Sequence, residues 1–188
     1  MALKALDAGV DGLVVEGGEG GGFKNPRPVS TMVLLPLIRE RTEVPIIAAG
    51  GICDGPTMAA AFAMGAEGVQ LGTAMLSCAD SPVHPNWKNA IYEGKETDTV
   101  FLNQQGRPAL RAMRTERTGE LELMGQFQPF EHISNILDLY FGGDLEAAIP
   151  LTGQVMGRIN EARSAVEIVE TTMEGFHSCL AGRQVQYA

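Results

Sequence analysis

The sequence predicts an α/β fold whose strands run parallel and are covered on both faces. Two observations carry this. Short, wholly apolar runs alternate with helix-patterned segments through the first 80 residues, which is the pattern of βαβ units. Each run then stops at a glycine cluster, first Gly17 to Gly22, then Gly50-Gly51, then Gly72.

Taken in order, Met1 to Ala8 has helical spacing through Leu3 and Leu6 and stops at Gly9. Gly12 to Val15 reads as a buried strand ending at Glu16. Ser30 is the expected N-cap of a helix running to about Arg41. Pro36 inside it predicts either a kink or a start nearer Leu35. Val44 to Ala49 is the second strand, and Asp54 or Gly55 opens an Ala- and Met-rich helix through Met64, closed by Gly65. Val69 to Leu71 is the third strand, with a helix expected after Gly72-Thr73. Past Ser81 the pattern turns mainly helical, at about 86–92, 129–140 and 154–181, with Thr99 to Leu102 a short strand or extended loop. The expected organisation is therefore βα units over 1–80, a mainly helical insertion over 81–152, and terminal helices over 153–188 that return to the sheet.

Composition narrows the function. Of 188 residues, 45% are hydrophobic and 20% charged, as in a globular domain, and 23 are glycine, well above usual content. Lys and Arg number 14 against 23 acidic residues, a net charge of −9, which disfavours a sequence-blind nucleic-acid binder. No apolar run reaches membrane-spanning length, and the N-terminus lacks the apolar core of a signal peptide. Cys53, Cys78 and Cys179 form no C-x-x-C pair, so a reducing cytoplasm is the expected setting.

The glycine clusters carry the chemistry. Glycine after a strand lets the backbone come close to a ligand, and bare N–H groups feeding a helix N-terminus favour an anion. Thr73 adds a hydroxyl and Gln70 an amide. The plain alternative is that the glycines only make tight turns. A dinucleotide G-x-G-x-x-G does not fit, because Phe23 falls at its third glycine, and no Walker-type P-loop precedes Gly94-Lys95.

The run from Glu16 to Gly22, the run from Val44 to Gly55, and Gly65 to Thr73 together resemble the nitronate monooxygenase family, formerly 2-nitropropane dioxygenases. Flavin-type enoyl-acyl-carrier-protein reductases are close relatives of that family. The likeness continues through Ser81 to Trp87 and Thr97 to Val100 as far as Gly153-Gln154. It implies a TIM (β/α)8 barrel that carries FMN non-covalently, with a helical segment inserted near the barrel's end. By motif, Glu16 and Gly21 would lie near the flavin, Gly50 and Gly51 would donate N–H groups to its phosphate, and Gln70, Leu71, Gly72 and Thr73 would complete that site. The implied reaction is oxidation of alkyl nitronates with molecular oxygen. The alternatives are NAD(P)H-dependent reduction of enoyl thioesters or quinones, and a flavin-binding remnant without turnover. The partners expected are a small-molecule substrate with oxygen or NAD(P)H, and a homo-oligomer is compatible. Inosine-monophosphate-dehydrogenase-like barrels share the Gly-Gly-Ile pattern but need a cysteine nucleophile, which 17–29 lacks.

One departure stands out. The family's motif usually ends in a histidine that serves as base, and Phe23 occupies that position. A phenyl ring accepts no proton, so the catalytic residue is left unknown and Phe23 is expected to pack. His84, His132 and His177 have no partner at metal-ligand spacing and read as surface or capping residues; Cys53 and Cys78 read as small core hydrophobes. Arg111, Arg114 and Arg117 are spaced to share a solvated helix face. A (β/α)8 barrel needs ~250 residues before insertions, so the length predicts the C-terminal part of a longer enzyme.

Overall fold

A computed structural model describes residues 1–186. Helix α1 (Ala2–Asp7) leads into strand β1 (Leu13–Glu16), and the first glycine loop then runs into a short strand β2 (Gly22–Lys24). Helix α2 (Thr31–Arg39), β3 (Ile46–Ala49), α3 (Gly55–Ala63), β4 (Gly68–Gln70) and α4 (Thr73–Leu76) follow. The second half holds α5 (Pro85–Glu93), β5 (Thr99–Leu102), β6 (Ala109–Met113), α6 (Glu116–Met124), α7 (Ile136–Tyr140) and α8 (Ala165–Gln186). Two short 3-10 turns, Pro129–His132 and Gln154–Arg158, complete the chain.

Strands β1, β3 and β4 form a parallel sheet in the order β1-β3-β4, with Val15 opposite Ala48 and Ala49 opposite Gln70. Alternation sends Val15, Ile46 and Ala48 to one face, where Leu35, Ile52, Ala61 and Ala66 bury them under α2 and α3. Val14 and Ile47 take the other face and are 56% and 41% exposed. So the described residues cover this parallel sheet on one face only, where the sequence predicted both.

Pro36 sits inside an unbroken α2, and Ser30 is its N-cap position but makes no side-chain cap bond. The Glu19 carboxylate does that work from the glycine loop, accepting from Thr31 N–H at 3.0 Å. Helix α3 is capped within its own sequence. Asp54 accepts from Thr57 N–H at 3.0 Å, and Thr57 Oγ1 accepts from Asp54 N–H at 3.1 Å.

Arg158 also pairs with Asp54. Burial pushes the Asp54 carboxyl up, but the bonds from Arg158 and Thr57 outweigh it and hold the group below its ordinary value. A lowered acid adds stability that is complete above the ordinary aspartate range and is lost as pH falls through the lowered value. Asp54→Ala is therefore expected to cost about 1 kcal/mol at neutral pH. In urea melts the gap between parent and variant should close in acid; a gap independent of pH would refute this account.

The second half departs from expectation. Residues 81–152 are not simply helical, because β5 and β6 pair antiparallel and β6 also takes β2 as its other neighbour. Ala109–Met113 is rich in helix-forming residues, yet it is sandwiched between two strands and four of its five residues are buried, so tertiary context overrides local preference. Arg111, Arg114 and Arg117 consequently share no helix face: Arg111 lies on β6, Arg114 follows it, and only Arg117 is on α6.

Trp87, fully buried, anchors the helical part, with its indole N–H donating to Thr152 Oγ1 at 3.3 Å and its ring edge-on to Tyr140. Asn103 (φ 56°) turns the β5–β6 hairpin, accepting from Phe127 N–H at 3.0 Å and donating to Pro108 C=O at 2.7 Å. Helix α8 returns to pack along α3 through Phe62 and Phe176.

Candidate functional site

The loops after β1, β3 and β4 meet at the C-terminal edge of the parallel sheet and enclose a cleft of about 250 Å³. Glu16, Gly21, Gly50, Gly51, Gln70, Gly72 and Thr73 all line it. Leu71 does not; its side chain packs against the core around Cys53, Trp87 and Met156. Tyr140, Leu151, Gly153 and Val155 close the far side, from parts of the chain that sequence reasoning left unassigned to the site.

The loops are braced against one another by hydrogen bonds that fix their shape. Gly17 N–H donates to Ala49 C=O at 3.0 Å, Thr31 Oγ1 donates to Gly50 C=O at 2.8 Å, and Gln154 N–H donates to Glu19 C=O at 2.9 Å. Thr73 Oγ1 accepts from Gly153 N–H at 2.9 Å, which fixes its orientation toward the loops. Arg111 reaches across from β6, donating from Nε to Gly18 C=O at 2.6 Å and from Nη1 to Thr99 Oγ1 at 2.9 Å. Only a long-range pairing could reveal Arg111 or Thr31, since each acts on a loop distant in sequence.

Two of the glycines are required by geometry. Gly50 and Gly51 have φ of +82° and +80°, a region that other residues enter at a cost. A Cβ on Gly21 would lie 2.7 Å from Thr152 C and 2.8 Å from Gly153 N, so any side chain there would push the loops apart. The N–H groups of Gly51, Gly72 and Thr73 donate to no protein acceptor among the described residues. Three free donors and a hydroxyl at the mouth of one cleft suit an anion such as a phosphate.

Two charged side chains stand behind the first glycine loop. Lys24 Nζ lies 2.5 Å from Glu16 Oε1, and burial, opposed by Glu16, lowers the Lys24 ammonium below its ordinary pKa. Phe23 is no core residue. It is 46% exposed and tilts against the exposed Phe130 ring at 5.9 Å between centroids.

The histidines take modest roles. His84 caps α5, its Nδ1 accepting from Asn86 N–H at 3.1 Å, and His132 packs edge-on against Phe127. Cys53 and Cys78 are buried, and burial pushes the Cys53 thiol up, away from reactivity. Among the described residues no helix is long and apolar enough to cross a membrane.

A family model described as nitronate monooxygenase matches residues 1–175. A probable nitronate monooxygenase of Staphylococcus saprophyticus is 39% identical over 118 residues, which is 57% of this chain and 33% of that protein. The (3aS,4S,5R,7aS)-5-hydroxy-7a-methyl-1-oxo-octahydro-1H-indene-4-carboxyl-CoA dehydrogenase of Rhodococcus jostii is 38% identical over 128 residues, 68% of this chain and 35% of the relative. Among solved structures, FabK from Thermotoga maritima superposes with a TM-score of 0.91 at 32% identity, covering 98% of this chain and 60% of its own. The chain thus spans about a third of the length of the curated relatives it matches.

Proposed function

Because this chain belongs to the nitronate monooxygenase family, we propose that its cleft is the phosphate end of an FMN site serving an oxidoreductase. The observation that carries this is the set of free N–H groups on Gly51, Gly72 and Thr73, gathered from two loops onto one opening. Those donors, with the Thr73 hydroxyl, would hold the phosphate. Gly21 would let the backbone approach the cofactor, and Glu16 and Gln70 would offer polar groups beside it. Bound FMN would supply one- and two-electron redox chemistry that no side chain here has. The three parallel strands are read as the last βα units of a (β/α)8 barrel, since such barrels place phosphate sites in the loops after strands seven and eight. Residues 81–152 form the insertion and 153–186 the return in this reading, the last two residues of the expected 153–188 segment lying outside the described residues. A cytoplasmic setting belongs to the same reading.

The first reading of the reaction is oxidation of an alkyl nitronate with oxygen. A nitronate arrives already anionic, so Phe23 in place of a histidine does not obstruct it. The second reading is NAD(P)H-dependent reduction of enoyl thioesters or quinones; the Rhodococcus relative, named as a dehydrogenase of a carboxyl-CoA, supports the thioester class of substrate. Purified protein given FMN and desalted should keep a flavin absorption spectrum. Oxygen uptake on a nitronate would support the first reading, and rapid anaerobic bleaching by NAD(P)H the second. Retained flavin with neither response would support a binding remnant, and loss of the flavin on desalting would refute the site.

A further inference from the structure

The cleft is polar on one side and apolar on the other. Free N–H groups lie toward Gly51, Gly72 and Thr73, while Tyr140, Leu151 and Val155 wall the far side. At about 250 Å³ it is smaller than most small-molecule sites, which run from ~300 to ~1,000 Å³. A cofactor headgroup would fill it. The body of any substrate beside that cofactor must therefore lie past the rim.

What stands at the rim is aromatic. Gly22 lines the cleft, and Phe23 follows it on β2. Phe23 pairs with Leu110, which pairs in turn with Leu102, so the three side chains form one row on one face of the antiparallel sheet. Leu110 and Leu102 are wholly buried, in a cluster against which Leu151 of the cleft wall also packs. Phe23 ends that row on the cleft side and is left half open to water. Phe130 meets it from the 3-10 turn Pro129–His132 and is 65% exposed. The turn is anchored, since Pro129 is buried and His132 packs against Phe127 of the same cluster.

The charged side chains of these strands go elsewhere. Lys24 and Arg111 take the opposite face of the sheet, so neither strand brings a charge to the side of the rings. Single exposed apolar side chains are ordinary on a protein surface. Two rings in contact, each on an anchored support and continuous with an apolar cleft wall, form a surface that receives a ligand.

We infer that Phe23 and Phe130 receive the apolar body of the substrate and thereby set its specificity. The favoured molecule has its reacting group at the cleft and carries an aliphatic chain or ring long enough to touch both phenyl rings. The occupant is this apolar body rather than another protein surface, because the rings join the cleft wall through Leu110 and Leu151. The inference rests on the reading of the cleft as the flavin site of an oxidoreductase, and it adds size selection to that reading.

The test titrates FMN-loaded protein with acetate, butyrate, hexanoate and octanoate, read from the flavin's visible spectrum. These carboxylates share the charge and planar head of a nitronate and do not react. Parent affinity should rise about 3-fold per methylene from butyrate to octanoate, as expected for burial of each methylene. Phe130→Ala should lose about 10-fold on octanoate and progressively less on the shorter acids. Phe23→Ala should behave alike, and Phe23→Leu, which keeps an apolar contact, should recover most of the loss. Damage to the fold would weaken every acid equally, so a loss that grows with chain length reports contact with the chain. No rise in the parent, an equal rise in the parent and both alanine variants, or a uniform loss along the series would overturn the inference. So would self-association, measured by sedimentation, that Phe130→Ala abolishes while the rise persists. If FMN is retained and the rise ignores both rings, size selection falls and the flavin site stands; if FMN is lost on desalting, both fall.

Discussion

Gly51→Asp is expected to lower FMN affinity at least ~100-fold, measured by flavin fluorescence titration. The substitution places a carboxylate beside the N–H groups that would hold the phosphate. Like charges roughly 4 Å apart repel by about 4 kcal/mol at the effective dielectric of a protein surface, enough for a loss of that size. The fold should survive. The nearest atoms to a Cβ at Gly51 belong to the Glu19 side chain, at 3.6 to 3.9 Å, which is ordinary contact. The positive φ costs about 1–2 kcal/mol for either Asp or Ala. Gly51→Ala is therefore the control, with the same backbone strain and no charge, and it should keep affinity within about 10-fold. Equal losses in the two variants would mean that backbone shape rather than charge governs the site, and unchanged affinity in Gly51→Asp would remove Gly51 from it.

Gly55→Ala is the second large effect, and it acts on the fold. Helix α3 begins at Gly55 against Gly175 of α8, and a methyl group at Gly55 would fall within the backbone of Gly175 and Phe176. Backbone cannot move aside by changing rotamer, so α8 must back away and loosen Phe62 from Phe176, whose rings now sit 4.9 Å apart. Replacing glycine by alanine in a helix ordinarily gains about 0.5–1 kcal/mol, while such overpacking costs about 1–3 kcal/mol, occasionally more. The clash should win, with a net loss near 2 kcal/mol in urea or thermal melts. Gly119 provides the contrast. It lies on α6 with nothing within 4 Å of the place a methyl group would take, so Gly119→Ala should stabilise by about 0.5–1 kcal/mol. A stabilised Gly55→Ala would show that α8 does not depend on this approach.

What could be read in advance follows from where the information lies. Strands β1, β3 and β4 are short apolar runs closed by glycine, and helix α3 announces itself with Asp54 three residues before Thr57. These are local signals, and they located the three loops of the cleft. Strand β2 begins at a glycine and is three residues long, and β6 has helix-forming composition; β2 forms because β6 is there to pair with it, and β6 because it is held between β2 and β5. The same holds at the site. Gly50, Gly51 and Thr73 are legible as motif, whereas Arg111 and Tyr140 join only after folding. The Glu16–Lys24 pair hides for a different reason. Its members are close in sequence, but the turn between them is glycine-rich, and nothing in such a loop declares which face Lys24 will take.

The first glycine loop belongs to both sheets at once. It leaves β1 at Glu16 and enters β2 at Gly22, where Gly22 is held opposite Arg111 and Phe23 opposite Leu110. Its length is therefore under a constraint stricter than its composition. Inserting or deleting one residue would slip β2 by one position against β6, and a one-residue slip exchanges the two faces of a strand. Phe23 would turn inward to the place of Lys24, and Lys24 outward to the place of Phe23. Variation among chains of this design should accordingly appear here as exchanges of one residue for another, with gaps confined to segments such as 25–29 that lie outside both ladders.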